Sequence, residues 1–361
     1  MKVLNIITSM RMGGAEKLLS EMLPIMRKKG CEVDLLLFDG VETELVETLI
    51  KSGVKVFSFG KNVNVYNPKF ILKLIPYLKE YDVVHTHNTA CQLFAAVACT
   101  LIKNKQKRPL MITTEHSTTN RRRNKPLFRR IDYWMYSRYN HIVAISEKAK
   151  EKLNEYLGTA SIYVDLVFNG VNLEAFKKEC DIKLKKDDED VVVTMVAAFR
   201  KGKDQMTLIK AINLLPSNYH LCLVGDGEQR AANEKFASEL GIENRVHFLG
   251  IRNDVVAILK ASDVVVMSSE YEGLSLSSIE GLASGAPFIA SDVDGLHEIT
   301  SGAGLLFTLG DAKGLSDIIL KLMNDNDLYV NTVDACINRS KQFDIETTVN
   351  RYLDLYGISM S

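Results

Sequence analysis

Apolar residues along the chain follow two rhythms. Short β-branched runs at residues 3–7, 33–38, 54–57, 83–85, 110–113 and 141–145 have the length of buried strands, and stretches with helical spacing separate them. After a charged interruption at residues 177–190 the alternation resumes, with strands expected at 191–196, 220–224, 246–248, 264–267 and 287–290. Strand and helix in alternation predict parallel, doubly wound α/β sheets, because a crossover helix is what lets consecutive strands run the same way. Two such series predict two Rossmann-like domains facing one another across a deep cleft. The Asn169-Gly170 turn signal between the series marks the expected hinge.

Length agrees with two domains, since 361 residues exceed the roughly 250–300 at which a single core stops growing. The expected division is 1–169, completed by 344–361 as the C-terminal helix returns, and 170–343 for the nucleotide-binding half. Basic and acidic residues balance at 45 each, so no overall field draws the molecule to nucleic acid, and any electrostatic attraction is local. The six cysteines are scattered without a C-x-x-C pair, which argues against a disulfide framework or a structural zinc and fits a reduced cytoplasm. The apolar start is too short for a signal peptide, and no stretch approaches the roughly 20 apolar residues that span a bilayer. A cytoplasmic protein is expected, with peripheral attachment to the inner face of the membrane as a refinement.

In doubly wound sheets ligands bind beyond the carboxyl ends of the strands. After the strand at 264–267 comes Ser268-Ser269-Glu270-Tyr271-Glu272-Gly273-Leu274-Ser275-Leu276-Ser277-Ser278-Ile279-Glu280. A helix expected to begin near Leu274 would offer unpaired amides and the positive end of its dipole, an anion site that Gly273 lets a ligand approach closely. Ser275, Ser277 and Ser278 read as plain caps or as phosphate donors. Glu272 and Glu280 are wrong for phosphate and right for sugar or ribose hydroxyls, which carboxylates accept from. If both lay on one helix, their eight-residue spacing would separate them by about 12 Å at a rise of about 1.5 Å per residue. That is too far for the carboxylate pair of a glycosidase. Glu280 read alone is an exposed helix position. Upstream, Arg200 and Lys203 follow the strand at 191–196 and supply the charge a diphosphate requires. Gly225-Asp226-Gly227 resembles a truncated dinucleotide fingerprint, with Arg230 where the third glycine belongs, which lowers an NAD reading.

These motifs, in this order, resemble the bacterial retaining glycosyltransferases of family 4, which have the GT-B fold. The resemblance covers nearly the whole chain and rests on Gly13-Gly14-Ala15-Glu16, His85-Thr86-His87-Asn88, Glu115-His116, Ala144-Ile145-Ser146-Glu147, Asn169-Gly170-Val171-Asn172, Phe199-Arg200-x-x-Lys203 and the E-x7-E pair Glu272/Glu280. It implies that Arg200 and Lys203 hold the donor pyrophosphate and that Glu280 binds the ribose. Glu272, with the amides of Gly273 and Leu274 and with Ser275 beside them, would sit at the donor sugar and phosphates. Gly14 would lie against the phosphates from the N-terminal domain, and His116 would face the transferred sugar. Members often carry the arginine two residues earlier, after a glycine, where this chain has Ala198. The implied reaction moves a hexose-type sugar from a nucleotide diphosphate donor, a UDP-sugar or alternatively a GDP-sugar, to a glycan or lipid-linked saccharide, with retention. Front-face attack by the acceptor hydroxyl needs no protein nucleophile, and no cofactor is implied.

His85-x-His87 has the look of half a metal site and Asp292-x-Asp294 that of a metal-binding D-x-D, but neither has a third ligand at plausible spacing, so metal independence is expected. Arg121–Arg130 holds six basic residues, followed by Ile131, Tyr133 and Trp134, and reads either as a solvated face or as a contact to an anionic membrane. A nucleotide-sugar epimerase of the same architecture, a dinucleotide-dependent oxidoreductase and a non-catalytic nucleotide-binding module are the alternatives.

Overall fold

The computed structural model describes residues 1–11, 13–116, 126–158, 162–180, 182–185 and 187–358. The chain divides into two compact units, one of Met1–Gly170 with Ile345–Ser361 and one of Val171–Asp344.

In the first unit seven strands run parallel: β1 (Lys2–Ile7), β2 (Glu32–Leu37), β3 (Val56–Ser58), β4 (Val83–His87), β5 (Leu110–Glu115), β6 (His141–Ala144) and β7 (Val164–Leu166). Their order is β3-β2-β1-β4-β5-β6-β7, with the first crossover reversing direction at β1/β4. The central strands are buried on both faces, which is why β1 and β2 read as nearly unbroken apolar runs. One face is covered by helices Lys69–Glu80, Thr89–Leu101 and Pro126–Tyr136, whose Phe70, Leu74, Phe94 and Met135 join the core. The C-terminal helix Ile345–Leu355 packs beside helix Gly14–Lys28 and buries Val349, Tyr352 and Leu353.

The second unit repeats the plan with β8 (Val191–Val196), β9 (Tyr219–Val224), β10 (Val246–Gly250), β11 (Val264–Met267), β12 (Phe288–Ser291) and β13 (Leu305–Phe307), ordered β10-β9-β8-β11-β12-β13. β7 and β13 lie outside the expected strands. Each is a three-residue strand at a sheet edge, too short to impose a pattern. β3 starts two residues later than its apolar run at 54, because Val54 is engaged in the turn that closes helix Glu44–Lys51, its amide bonding the Leu49 carbonyl. All six cysteines are free.

Candidate functional site

Both sheets switch direction beside their first strand, and in the second unit that place is β8/β11. The loop after β8 carries Arg200 and Lys203. It ends at Asp204, a non-glycine residue with φ of 46° whose carboxylate caps helix Gln205–Leu214 by accepting from the Thr207 amide at 3.3 Å. A left-handed aspartate costs energy that its own capping bonds offset, and strain of this kind gathers at functional loops. The loop is braced from two sides. Ser268 at the end of β11 donates to the Asp204 carbonyl at 2.9 Å. From the β9 side, Gly225 and Gly227 approach so closely that an added Cβ would lie 2.2 Å from the Ala197 oxygen and 2.4 Å from the Phe199 oxygen. The truncated fingerprint therefore serves to seat one backbone on another. Phe199 donates to the Asp226 carbonyl at 3.0 Å and accepts from the Gln229 amide at 2.8 Å, which completes the lock.

Lys203 Nζ forms an ion pair with Glu272 Oε1, the two side chains being 13% and 10% exposed. Ser269 Oγ donates to the same carboxylate oxygen at 2.9 Å. The basic loop and the first glutamate of the E-x7-E pair are thus in contact. Arg200 is exposed, and its guanidinium meets no carboxylate among the described residues.

The helix after β11 begins at Leu276, not near Leu274. Gly273 and Leu274 form a bend ahead of the helix, braced by the Glu272 amide, which donates to the Asp294 carbonyl at 3.4 Å, and by Gly295, whose φ of 85° brings its backbone against Glu272 and Gly273. Ser275 occupies the N-cap position with an extended backbone, but its side chain makes no capping bond. Glu272 stands outside the helix that holds Glu280, so a helical rise does not measure their separation. Glu280 is 3% exposed and is not a surface position. Asp292 and Asp294 serve local structure, Asp292 bonding His297 Nδ1 at 2.6 Å.

Gly14 and His116 belong to the first unit. Gly14 opens helix Gly14–Lys28, is exposed, and has no atom within 4 Å of where a Cβ would stand, so the space beside it is open. His116 follows β5, and its Nε2 lies 2.9 Å from His87 Nδ1. His87 Nε2 lies 3.1 Å from Asn5 Oδ1. His85 belongs to a separate string, with Nδ1 at 2.7 Å from Tyr356 Oη and Nε2 at 2.7 Å from Thr114 Oγ1. Burial lowers the basicity of all three imidazoles, with their mutual repulsion adding to it for His85 and His87, and His116 falls to about 4. They are neutral at physiological pH. The sequence places His85 and His87 on one face of a strand end and discounts them as half a metal site; on β4 each stands in its own hydrogen-bonded string. Among the described residues no three His, Cys, Asp or Glu side chains are grouped to hold a metal ion.

Of the basic segment, residues 121–125 lie outside the described residues, as does Met12 near Gly14. Arg129 and Arg130 are exposed on helix Pro126–Tyr136, with Ile131, Tyr133 and Trp134 at 36%, 38% and 37% exposure. No helix among the described residues is long and apolar enough to cross a membrane.

Comparison with known proteins brings this geometry into a family. Residues 12–175 match the model described as Glycosyltransferase Family 4, and residues 176–343 the model described as Glycosyl transferases group 1. The chain is 26% identical over 311 residues to the Escherichia coli UDP-Gal:alpha-D-GlcNAc-diphosphoundecaprenol alpha-1,3-galactosyltransferase, covering 80% of this chain and 79% of that one. Over 198 residues, 52% of each chain, it is 31% identical to the Campylobacter jejuni N,N'-diacetylbacillosaminyl-diphospho-undecaprenol alpha-1,3-N-acetylgalactosaminyltransferase. Among solved structures, Anabaena HepE in complex with UDP and glucose superposes with a TM-score of 0.84 at 21% identity, covering 99% of both chains, a likeness that speaks to the fold.

Proposed function

The chain belongs to the family 4 glycosyltransferases of GT-B fold, and from that premise we propose that it transfers a hexose-type sugar from a UDP-sugar to a hydroxyl of a lipid-linked saccharide or glycan, with retention of configuration and without a metal ion. The observation that carries this reading is the Lys203–Glu272 ion pair, which joins the basic loop after β8 to the loop that leads into helix Leu276–Ala283. It sets a cation and a hydroxyl acceptor side by side, as a bound nucleotide sugar requires. The donor relation of the E. coli relative and the UDP and glucose in the HepE complex support the choice of nucleotide.

In this mechanism the leaving diphosphate takes Lys203 from Glu272, Arg200 adds a second cation, and the amides of Gly273, Leu274 and Ser275 face the same charge. Preorganised positive groups of this kind favour the departing phosphate over the intact donor, and such terms are often the largest in catalysis. Glu272, released, accepts from the transferred sugar, and Glu280 from the ribose. The family resemblance assigns Gly14 to the phosphates and His116 to the transferred sugar. The acceptor hydroxyl attacks from the leaving-group face and its proton passes to the departing phosphate, so the protein supplies no nucleophile.

The basic segment favours an anionic bilayer as the surface on which a lipid-linked acceptor is met. Between Asp82 and Asp132 the sequence contains ten Lys and Arg and a single acid, Glu115, in a chain of zero net charge. Replacing Arg121–Arg123 by serine is expected to weaken flotation with phosphatidylglycerol vesicles.

A thermal-shift screen of nucleotide sugars tests the donor, since a ligand at 100 times its dissociation constant adds about 2.7 kcal/mol of stability. The product's anomeric configuration, read by proton NMR, tests retention. An inverted product, or stabilisation by no UDP-sugar, would refute the proposal.

A further inference from the structure

One face of the first sheet carries Asn5 on β1, His85 and His87 on β4, Thr114 on β5 and His116 just beyond it. Strand periodicity places them together: Asn5 pairs with His85 and His87 with Thr114 in the parallel register, and His116 lies two residues past Thr114. Two hydrogen-bonded strings cross this face, and they end differently. The first is closed. Tyr356, His85, Thr114 and Tyr352 bond in sequence at 2.7, 2.7 and 2.9 Å, and both ends are tyrosines from the C-terminal segment. The second runs Asn5, His87, His116 and is open at both ends: Asn5 turns Oδ1 toward His87 while its Nδ2 is buried without a hydrogen-bond partner, and at the other end His116 Nδ1 is likewise buried without one among the described residues.

A buried polar atom without a partner is costly, and in a native structure it asks for a reason. Here the direction of the string supplies one. A neutral imidazole donates from one nitrogen and accepts at the other, so it passes polarity along a chain of such groups. Asn5 Oδ1 can only accept. His87 therefore carries its proton on Nε2 and presents a lone pair at Nδ1 to His116. His116 must then donate from Nε2, which leaves Nδ1 as a bare lone pair at its end of the string. Protonation would erase this polarity, since an imidazolium donates from both nitrogens, and burial keeps both rings neutral. The end of β4 is also stiffened: Asn88, next to His87, holds a φ of 71° and ψ of 146°, a conformation that non-glycine residues reach only under constraint.

We propose that Asn5 and His87 are positioning residues that fix His116 as its Nε2–H tautomer, so that Nδ1 accepts a hydrogen bond from a hydroxyl of the bound sugar. This rests on the reading of His116 as the group that faces the sugar. It adds a specificity consequence, because a lone pair aimed at a hydroxyl rejects a sugar that lacks that hydroxyl more strongly than an apolar pocket would. The two outer members touch no substrate and act only through His116.

The test uses the full chain labelled with 15N in its histidine rings, without substrate, at pH 7.5. Two-bond proton–nitrogen correlations report which ring nitrogen carries the proton. In the unmodified protein His87 and His116 are both expected to be protonated at Nε2 and bare at Nδ1. Asn5→Leu and His87→Phe should each turn the single His116 tautomer into a mixture and lower kcat by about 10–100-fold, the usual loss when an outer partner of a functional histidine is removed. The KM for the UDP-sugar should stay within about threefold. Tyr356→Phe, on the closed string, should leave the His116 spectrum unchanged. A proton on His116 Nδ1 in the unmodified protein overturns the proposal, and that spectrum needs no variant to fold. An unmoved tautomer in folded Asn5→Leu overturns it as well. The underlying reading fails separately: if His116→Ala transfers sugar at the normal rate, His116 does not face the substrate, whatever its tautomer.

Discussion

Lys203 and Glu272 neutralise each other across two loops, with little of either side chain in water. Removing one partner strands the other. Lys203→Ala is expected to destabilise the second unit by about 3 kcal/mol, the low end for breaking a buried pair, because among the described residues the Glu272 carboxylate then keeps only the Ser269 hydroxyl. Lys203→Met combined with Glu272→Leu should recover most of that loss in urea denaturation, since an apolar pair of similar volume removes both desolvation penalties. Stabilisation by UDP should not return in the double variant. If it does, the cation is structural and the donor site lies elsewhere.

Glu280 separates packing from binding by a different route. Its carboxylate is buried in helix Leu276–Ala283, where Gln matches its shape and Ala does not. Glu280→Gln should fold with near-normal stability yet raise the UDP-sugar KM by about 10–100-fold, as the loss of a hydrogen bond to a charged acceptor is worth about 1.5–3 kcal/mol. Equal KM values for Glu280→Gln and the unmodified enzyme would remove the ribose role.

Gly227 tests whether the β9 loop truly seats the donor loop. With φ of 152° and the Phe199 oxygen 2.4 Å from the position of an added Cβ, alanine cannot enter without moving one backbone or the other. Gly227→Ala is expected to cost more than about 1 kcal/mol, measured by chemical denaturation. It should also weaken UDP binding in calorimetry, because the displaced segment leads directly to Arg200 and Lys203. Unchanged UDP affinity in a destabilised variant would confine the contact to packing.

These cases also mark what the sequence could carry. The parallel sheets were legible because a strand buried on both faces is an unbroken apolar run, and because helices must intervene. The resemblance to family 4, and with it the GT-B fold, was legible in an ordered set of motifs. The short edge strands β7 and β13 were not, since three residues set no period. Nor was the true start of the helix after β11, which is fixed by Gly295 reaching Glu272 from 23 residues downstream in loops that no local pattern relates. The spacing of Glu272 and Glu280 suggested one helix, and tertiary contact put the first of them outside it. The pairing of His87 with His116 joins strands 29 residues apart, and only the shared face of β4 and β5 reveals it.

The buried histidines make stability depend on pH with a definite sign. In the unfolded chain an imidazole titrates near 6.5, whereas in the folded first unit His85, His87 and His116 resist protonation, His116 down to about 4. Between those values the unfolded chain binds protons that the folded one refuses. Stability then rises with pH, because its slope follows the excess of protons on the unfolded state. The contribution is fully present above pH 6.5 and is lost as pH falls toward 4, at up to about 1.4 kcal/mol per pH unit for each histidine. Carboxylates add to acid lability, so the total slope does not isolate the imidazoles. His116→Gln does, because it deletes one of them. Its urea-denaturation free energy should fall less steeply between pH 7 and pH 5 than that of the unmodified protein. Transfer by the unmodified enzyme should meanwhile show no loss attributable to His116 near pH 6.5, as a ring with a value of about 4 stays neutral there. Parallel stability curves for the two proteins would mean that His116 gains a proton in the fold as readily as in the unfolded chain, and is not the desolvated base that its burial implies.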